Sequence, residues 1–235
     1  MKKESTNYEY YFQILKKSPY FSKLSDEKLD EILTAFHLET WTKGSLSIDG
    51  SKTLNQFYFL ITGRIKVFQI HPENGNEFTM YLLANGKMFD IISLLDGKRH
   101  DVQMEALDNI EILAAPIDVV RGWIMEHPQF NKTLLPYLAG QLREMEEKAA
   151  DLALSDTWIR TLKLFVNHMD SDAHHSKLKL INNLSHSELA KIIGTSRNVI
   201  NRHIQKLKKE DIIQINRKHI EIKNLQKLLA KFKDY

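Results

Sequence analysis

The chain has 235 residues, which is enough for one large domain or two of ordinary size. Hydrophobic residues make up 43% of it and charged residues 27%, and no run of about eighteen apolar residues predicts a membrane span. It contains no cysteine, which excludes disulfides, thiol redox switches and cysteine-held iron–sulfur clusters. The first residues lack the apolar core of a signal peptide, so we expect a cytoplasmic protein.

The net charge of +3 conceals an uneven distribution of charge along the chain. Residues 1–154 carry 17 Lys and Arg against 22 Asp and Glu, whereas residues 155–235 carry 16 against 8. A basic part joined to an acidic remainder is typical of a nucleic-acid-binding domain attached to another domain.

The first part of the chain is predicted to be helical and then to change to short strands. Residues 8–37 read as short helices, divided by Pro19, with Ser25 or Asp26 capping the second helix. From about Trp41 to Pro116 apolar residues alternate in short runs between turn sequences, which predicts a small sandwich or barrel. The alternating sets are Leu46/Ile48, Phe57/Phe59/Ile61, Ile65/Val67, Phe78/Met80/Leu82, Val102/Met104 and Ile110/Ile112.

A helical stretch is predicted from about Ile117 to Leu154, with Pro136 expected to bend it or delay its regular start. Six residues within it alternate three and four apart, which is the a/d seam of a short coiled coil. The stripe either pairs two copies of the chain or packs on the chain's own β-domain. Its members are Leu135, Leu138, Leu142, Met145, Ala149 and Leu152.

Residues 185–207 predict two short helices in tandem. Ser185 and Glu188 form a capping box, and an apolar stripe follows, which ends at Gly194 as a candidate C-terminal cap. Thr195 is the expected N-cap of the second helix. So short a connection between two helices indicates a helix-turn-helix.

The second of these helices has the side chains of a DNA-reading surface. Ile200, Ile204 and Leu207 share one side, with His203 at its edge, and polar residues cover the other. Arginine pairs with guanine, and asparagine or glutamine pairs with adenine, in the major groove. We predict that the bases are read by Arg197, Asn198, Asn201 and Arg202. Thr195, Ser196, Lys206, Lys208 and Lys209 are the predicted contacts to the DNA backbone.

The end of the chain predicts a wing beside the helix-turn-helix. Two β-branched runs, at 212–215 and 220–222, flank a polar turn and read as a hairpin. Arg217 and Lys218 at its tip are further candidates for contacts to the DNA backbone. Asp156 is the expected cap of a helix that follows the long one, so a hinge is predicted at residues 154–156.

This order of parts resembles the Crp/Fnr superfamily of bacterial transcription regulators, from the segment FSKLSDEKLDEI to TSRNVINRHIQKLKKEDII. The resemblance implies an α+β fold: a cyclic-nucleotide-binding-like β-barrel (jelly roll) with flanking helices, a dimerisation helix and a winged helix-turn-helix, at residues 1–128, 129–154 and 155–235. Family members that bind cyclic AMP begin the recognition helix Ser-Arg-Glu-Thr-Val. Ser196, Arg197 and Arg202 match that pattern, but Asn198 replaces the glutamate, so we expect a different half-site at that base pair.

The effector region departs further from the members that bind cyclic AMP. Asp90 and Ile91 stand where the resemblance places a Gly-Glu pair for the ribose, and His100 and Asp101 stand where it places an Arg-Ser pair for the phosphate, with Arg99 one position away. Asp101 would repel a phosphate, so we expect that cyclic AMP is not the ligand. On the long helix, Met145-Glu146 replaces the pair that reads the adenine. The predicted effector pocket comprises Phe89, Asp90, Ile91, Ile92, Arg99, His100 and Met145.

Three interpretations of the effector region stay open. The region binds haem through His71, His100 or His127, since neutral imidazole is a good iron ligand. Alternatively, it binds another small metabolite in an apolar pocket, or it binds nothing and the protein is regulated by its abundance. The apolar candidates, which also fit an ordinary barrel core, are Phe89, Ile91, Ile92, Leu94 and Leu95.

The hypothesis is therefore a homodimeric regulator that binds a palindromic double-stranded DNA site, acts with RNA polymerase and has no membrane partner. Two rival classes are weaker. A nucleotide-sensing module with no DNA role predicts a competent phosphate-binding cassette and an uncharged C-terminal domain, and the chain has neither. An enzyme is not expected either, because no Walker loop, H-E-x-x-H or G-x-S-x-G motif occurs.

Overall fold

The protein is described by a computed structural model that covers the chain except residues 2, 4, 6, 49–51, 53, 170–175, 179, 217, 218 and 233–235. The chain forms two compact units. The first comprises Met1–Gln69 and Tyr81–Glu144, and the second comprises Ile70–Met80 and Met145–Tyr235. Each unit is therefore built from two separate segments of the chain.

The first unit begins with the two predicted helices, α1 (Tyr8–Lys17) and α2 (Asp26–Ala35). The side chain of Ser25 accepts a hydrogen bond from the backbone N–H of Lys28, which makes Ser25 the N-cap. Tyr11, Leu15, Leu29 and Ile32 are buried on the inner faces of the two helices. The prediction of helices on both sides of Pro19 is confirmed.

Two antiparallel four-stranded sheets form the predicted β-structure. One has the order β1-β8-β3-β6 and the other β2-β7-β4-β5, which is the layered arrangement of a jelly roll. Sheet structure begins at His37, four residues before the predicted Trp41, because β1 pairs along its whole length with β8. The strands are β1 (His37–Trp41), β2 (Leu46–Ile48), β3 (Gln56–Thr62), β4 (Ile65–Ile70), β5 (Glu77–Leu83), β6 (Met88–Phe89), β7 (Gln103–Ala106) and β8 (Ile110–Pro116).

Strand β3 is buried on both faces, although alternation in the sequence predicts only one apolar face. Phe57 and Phe59 join a core that includes α1, α2 and the helices after the barrel. Tyr58 and Leu60 point the other way, into the interior between the two sheets. Both faces are buried because helices cover the outer side of this sheet, which leaves polar residues of β3 only at its ends.

Three helices complete the first unit and lead into the second. They are α3 (Ile91–Asp96), α4 (Ile117–Glu126) and α5 (Pro128–Leu154), which is 27 residues long. The helix α5 runs through Pro136 and begins eight residues before it, so the expectation that Pro136 delays the start of the helix is wrong. Buried Phe130 and Leu134 fix the first turns of α5 against the core, although Pro136 cannot donate to the carbonyl of Lys132.

The second unit contains the predicted helix-turn-helix and wing. Asp156 caps α6 (Thr157–Asn167), as expected, by accepting from the backbone N–H of Ile159 at 2.9 Å. The wing is an antiparallel three-stranded sheet of order β10-β11-β9, in which β9 (Ser176–Lys177) is an added strand that the sequence did not predict. The other elements are α7 (His186–Ile193), α8 (Arg197–Lys209), β10 (Ile213–Asn216), β11 (His219–Ile222) and α9 (Leu225–Ala230).

Candidate nucleic-acid interface

The turn between α7 and α8 has the geometry that its sequence predicts, with one shift. Ser185 accepts a hydrogen bond from the N–H of Glu188 at 3.1 Å, and Gly194 adopts a left-handed conformation with φ of 66°. The N-cap of α8 is Ser196, whose side chain accepts from the N–H of Val199. The expectation that Thr195 is the cap is wrong, because the N–H of Thr195 closes the preceding helix onto the carbonyl of Ala190.

Helix α8 buries one face in the unit and exposes the other. Ile200, Ile204 and Leu207 are fully buried, and the first turn of the helix contains no acidic residue. An exposed cationic face at a helix N-terminus favours the phosphates and bases of DNA, because the helix dipole adds positive charge there. The exposed residues include all four predicted base readers and one neighbour: Arg197, Asn198, Asn201, Arg202 and Gln205.

His203 anchors the buried face of α8 by a polar contact. Its Nδ1 lies 2.9 Å from the hydroxyl of Thr161, and its ring packs edge-on against Trp158 at 5.2 Å. Because the single hydroxyl proton of Thr161 is donated to the carbonyl of Thr157, Nδ1 of His203 is the donor of this bond. Burial, followed by the nearby charge of Arg202, lowers the pKa of His203.

The predicted contacts to the DNA backbone occupy different surroundings. Lys206 holds its ammonium 4.3 Å from the centre of the Trp158 ring, whereas Lys208 and Lys209 extend from the exposed last turn of α8. Ser196 is exposed and Thr195 is half-buried at the start of the helix. Arg217 and Lys218 lie outside the residues that the structure describes.

Residues 70–80 pack against the helix-turn-helix, a contact that no local sequence pattern predicts. The ammonium of Lys191 on α7 donates to Glu77 at 2.7 Å and to Glu188 at 3.2 Å. Lys148 on α5 donates to the carbonyls of Thr79 and Met80, and burial lowers its pKa to about 8. The pairs that involve residues 77–80 are separated by 68 to 114 positions and give no periodic signal, and only the Lys191–Glu77 pair has opposite charges that hint at its contact.

The effector region of the first unit is organised around Asp90, which is 1% exposed. The carboxylate of Asp90 accepts from the hydroxyl of Ser93 at 2.7 Å and the N–H of Ile92 at 3.1 Å, and it pairs with Nδ1 of His100 at 3.0 Å. These bonds outweigh the opposing effect of burial and lower the pKa of Asp90. Asp90 is therefore a carboxylate whose hydrogen bonds are made within the protein.

The other predicted effector residues do not share one environment. Phe89 and Ile91 are buried, but Ile92 is 47% exposed and Leu95 is 52% exposed, because both lie on the outer side of α3. Arg99 is exposed and lies 3.4 Å from Asp101, while Met145 belongs to the second unit and is half-buried.

The histidines proposed as haem ligands also differ in the contacts that they make. His71 accepts from the N–H of Glu73 at 3.3 Å, and Nε2 of His127 is buried with no hydrogen-bond partner among the residues that the structure describes. No cluster of three or more His, Cys, Asp or Glu side chains able to hold a metal ion occurs among the described residues. In the same part of the chain, no helix is both long and apolar enough to cross a bilayer.

The predicted seam on α5 is largely uncovered in a single chain. Leu135 and Leu142 are each 62% exposed, and Leu152 is 39% exposed. Leu138 packs partly against the core of the first unit. Leucines exposed at this spacing form an apolar stripe, which is the kind of surface that another protein chain covers.

Two family models match the chain, each on one of its predicted domains. The cyclic nucleotide-binding domain matches residues 39–127, and the Crp-like helix-turn-helix domain matches residues 159–231. The chain is 29% identical over 201 residues to a global nitrogen regulator of Synechocystis, covering 79% of this chain and 87% of that protein. It is 26% identical over 209 residues to the cyclic AMP receptor protein of Thermus thermophilus, covering 89% and 94%.

The fold has known relatives as well. The c-di-GMP responsive global regulator CLP of Xanthomonas campestris superposes with a TM-score of 0.71 at 14% identity, over 85% of this chain and all of that one. The barrel, long helix and winged helix-turn-helix define a DNA-binding transcription regulator with an N-terminal domain of the cyclic nucleotide-binding type. The chain belongs to the Crp/Fnr family of transcription regulators.

Proposed function

We propose that this protein is a homodimeric regulator that binds palindromic DNA through α8. The observation that carries the proposal is the exposed face of α8, where Arg197, Asn198, Asn201 and Arg202 stand clear of the buried side. In a symmetric dimer two such helices enter successive major grooves about 34 Å apart. We further propose that residues 155–235 bind DNA, that residues 1–128 sense the effector, and that the bound dimer acts on RNA polymerase.

Dimerisation is proposed along α5, in the segment 129–154. The exposed leucines described above support it, because a stripe of this kind is costly to leave in water. Met145 and Ala149 continue the same a/d spacing towards the end of the helix. A dimer also doubles the recognition surface, which a single short helix requires for specificity.

We propose that the effector is not cyclic AMP. Asp90 supports this, since its buried carboxylate already accepts from Ser93, Ile92 and His100 and stays charged. A second negative charge on a phosphate brought close to it would be repelled in a medium of low dielectric constant. Ile91, at the position that the family uses to bind the ribose, has no side-chain acceptor.

The proposal is tested by selecting binding sites from a pool of random duplexes and by sedimentation of the free protein. We expect a dimer and a selected site with two-fold symmetry. Leu142→Glu introduces a charge into the seam and is expected to give monomers that lose the selected site. Leu154→Glu is the matched control, because Leu154 lies on the same helix, is 85% exposed and falls outside the seam. A monomeric wild type with no preferred duplex contradicts the proposal.

A further inference from the structure

A groove of about 400 Å³ opens in the first unit between the loop after α1, the turn before β6 and one face of α5. It is lined by three lysines, two tyrosines and a single acidic residue. This groove is formed by residues other than the predicted effector residues and the helix-turn-helix. Its principal residues are Tyr20, Lys23, Lys87, Lys132, Tyr137 and Glu144.

The groove carries excess positive charge. Within the described part of the chain, none of Lys23, Lys87 and Lys132 forms a salt bridge with a carboxylate. The ammonium of Lys87 instead lies 5.5 Å from the centre of the Tyr137 ring. With three cations and only Glu144 to oppose them, the groove has a formal charge of +2. Such a concentration of like charge favours a dianionic occupant.

The base of the groove is held in place before any ligand arrives. The hydroxyl of Tyr137 donates to the carbonyl of Met88 at 3.1 Å, and its ring packs edge-on against Tyr20 at 4.8 Å. The hydroxyl of Thr133 lies 2.8 Å from the carbonyl of Tyr20 in the loop and 2.8 Å from that of Phe130 in α5, so its single proton is shared between the two. A surface ordered in this way loses little conformational entropy when it binds a ligand.

The groove also offers acceptors for hydroxyl groups. The carboxylate of Glu144 lines the same groove. An occupant that carries hydroxyl donors beside its charged group would satisfy these acceptors and the lysines together.

We propose that this groove binds a phosphate monoester of a small hydroxylated molecule. A phosphate monoester carries a charge of about −1.5 to −2 at pH 7, which matches the excess charge of the lysines. The volume lies near the lower end of the range of about 300–1,000 Å³ that is usual for small-molecule sites. The proposal is independent of DNA binding, so its failure leaves the proposed function standing.

The first test is calorimetric titration of the full-length protein with ribose 5-phosphate. We expect saturable binding that weakens with added salt, and much weaker binding of ribose or of inorganic phosphate. Absence of ribose 5-phosphate binding overturns the proposal. Equal binding of inorganic phosphate overturns the assignment of an ester and indicates an adventitious anion site.

The second test fills the groove. Gly140 lines it, and a Cβ added there meets no atom within 4 Å, so Gly140→Leu is expected to fold and to weaken ribose 5-phosphate binding about tenfold or more. Gly122→Leu is the matched control, since Gly122 is also helical with open space but lies outside the groove. Equal binding by the two variants contradicts the proposal.

A third test removes charge without adding bulk. The double substitution Lys87→Gln and Lys132→Gln is expected to abolish most of the ribose 5-phosphate binding and its salt dependence. The control is Lys17→Gln, at an exposed position of α1 outside the groove, which leaves both unchanged. Thermal unfolding verifies that each variant is folded. If Gly140→Leu fails to fold, the lysine substitutions decide alone, and unchanged binding in them rejects the site.

Discussion

At the scale of single residues, α8 carries both the side chains proposed to read bases and those proposed only to attract DNA. Arg197 lies on the exposed face in the first turn, where a recognition helix approaches the base edges. Lys209 lies in the last turn, where contacts to phosphates are expected. The two residues have the same charge, so they provide a matched pair.

We expect Arg197→Ala to cost about 1–3 kcal/mol on the selected site and to relax specificity at one base pair. Lys209→Ala is expected to weaken binding to every duplex alike and to reduce the slope of log affinity against log salt by about one. Fluorescence anisotropy with the selected and a random duplex, at several salt concentrations, measures both effects. Equal losses on both duplexes for both variants would show that our assignment of base readers is wrong.

Asn198 shows how much of the site the sequence alone could predict. Its place on an exposed helix face follows from the spacing of the apolar residues Ile200, Ile204 and Leu207, and the structure confirms that spacing. The environment of Lys206 did not follow, because its contact with Trp158 joins residues 48 positions apart in the chain (206 − 158). Long-range contacts of this kind depend on tertiary packing, which no local pattern records.

At the scale of elements, the turn between α7 and α8 is set by Gly194. Its φ of 66° is unfavourable for residues with a Cβ, and a Cβ there would lie 3.0 Å from Cδ2 of Leu152 on α5. The close approach therefore joins the turn to the last part of α5. The sequence predicted that Gly194 ends α7 as its C-terminal cap, but the contact with α5 became visible only in the structure.

We expect Gly194→Ala to lower the free energy of unfolding of the second unit by more than the backbone strain alone, which is about 1–2 kcal/mol. Gly75→Ala is the control, because Gly75 lies in the same unit with φ of 68° and a Cβ there meets nothing within 4 Å. The difference between the two variants, measured by urea unfolding, isolates the contact with Leu152. Identical losses would contradict a role for that contact.

Also at this scale, the predicted strands and helices were largely right because their apolar periods are local. The exception is strand β3, whose alternation predicts one buried face although both faces are buried. Burial of its second face depends on α1 and α2, which reach it only in the folded chain. Strand β9 was missed for a similar reason, since two residues carry no periodic signal and owe their strand to pairing with β11.

At the scale of the whole molecule, the two units differ in how acid should affect them. Burial is the main cause that lowers the pKa of both His168 and His203, and both belong to the second unit. In the first unit the pKa of Asp90 is lowered, which matters only at a pH below its ordinary value of 3.8. These two histidines and Asp90 therefore titrate in different ranges.

We expect the second unit to lose stability as the pH falls below 6.5, the ordinary pKa of histidine. The sign follows from linkage, because the unfolded histidines bind protons that the folded ones exclude, so stability rises with pH. Differential scanning calorimetry between pH 7 and about 4.5 should show the unfolding transition of the second unit moving to lower temperature. Substituting His168 and His203 with Gln should flatten this dependence, whereas substituting exposed His219 should not.

The segment Ile70–Met80 belongs to the second unit although the rest of the β-structure around it belongs to the first. Glu77, Thr79 and Met80 supply partners to Lys191 and Lys148, and these partners are encoded far upstream of the helix-turn-helix. A hybrid regulator whose DNA-binding domain comes from a relative therefore needs residues 70–80 of that relative as well. A graft cut only at residue 154 would separate Lys191 from Glu77, whereas Lys148 would stay with its acceptors at Thr79 and Met80.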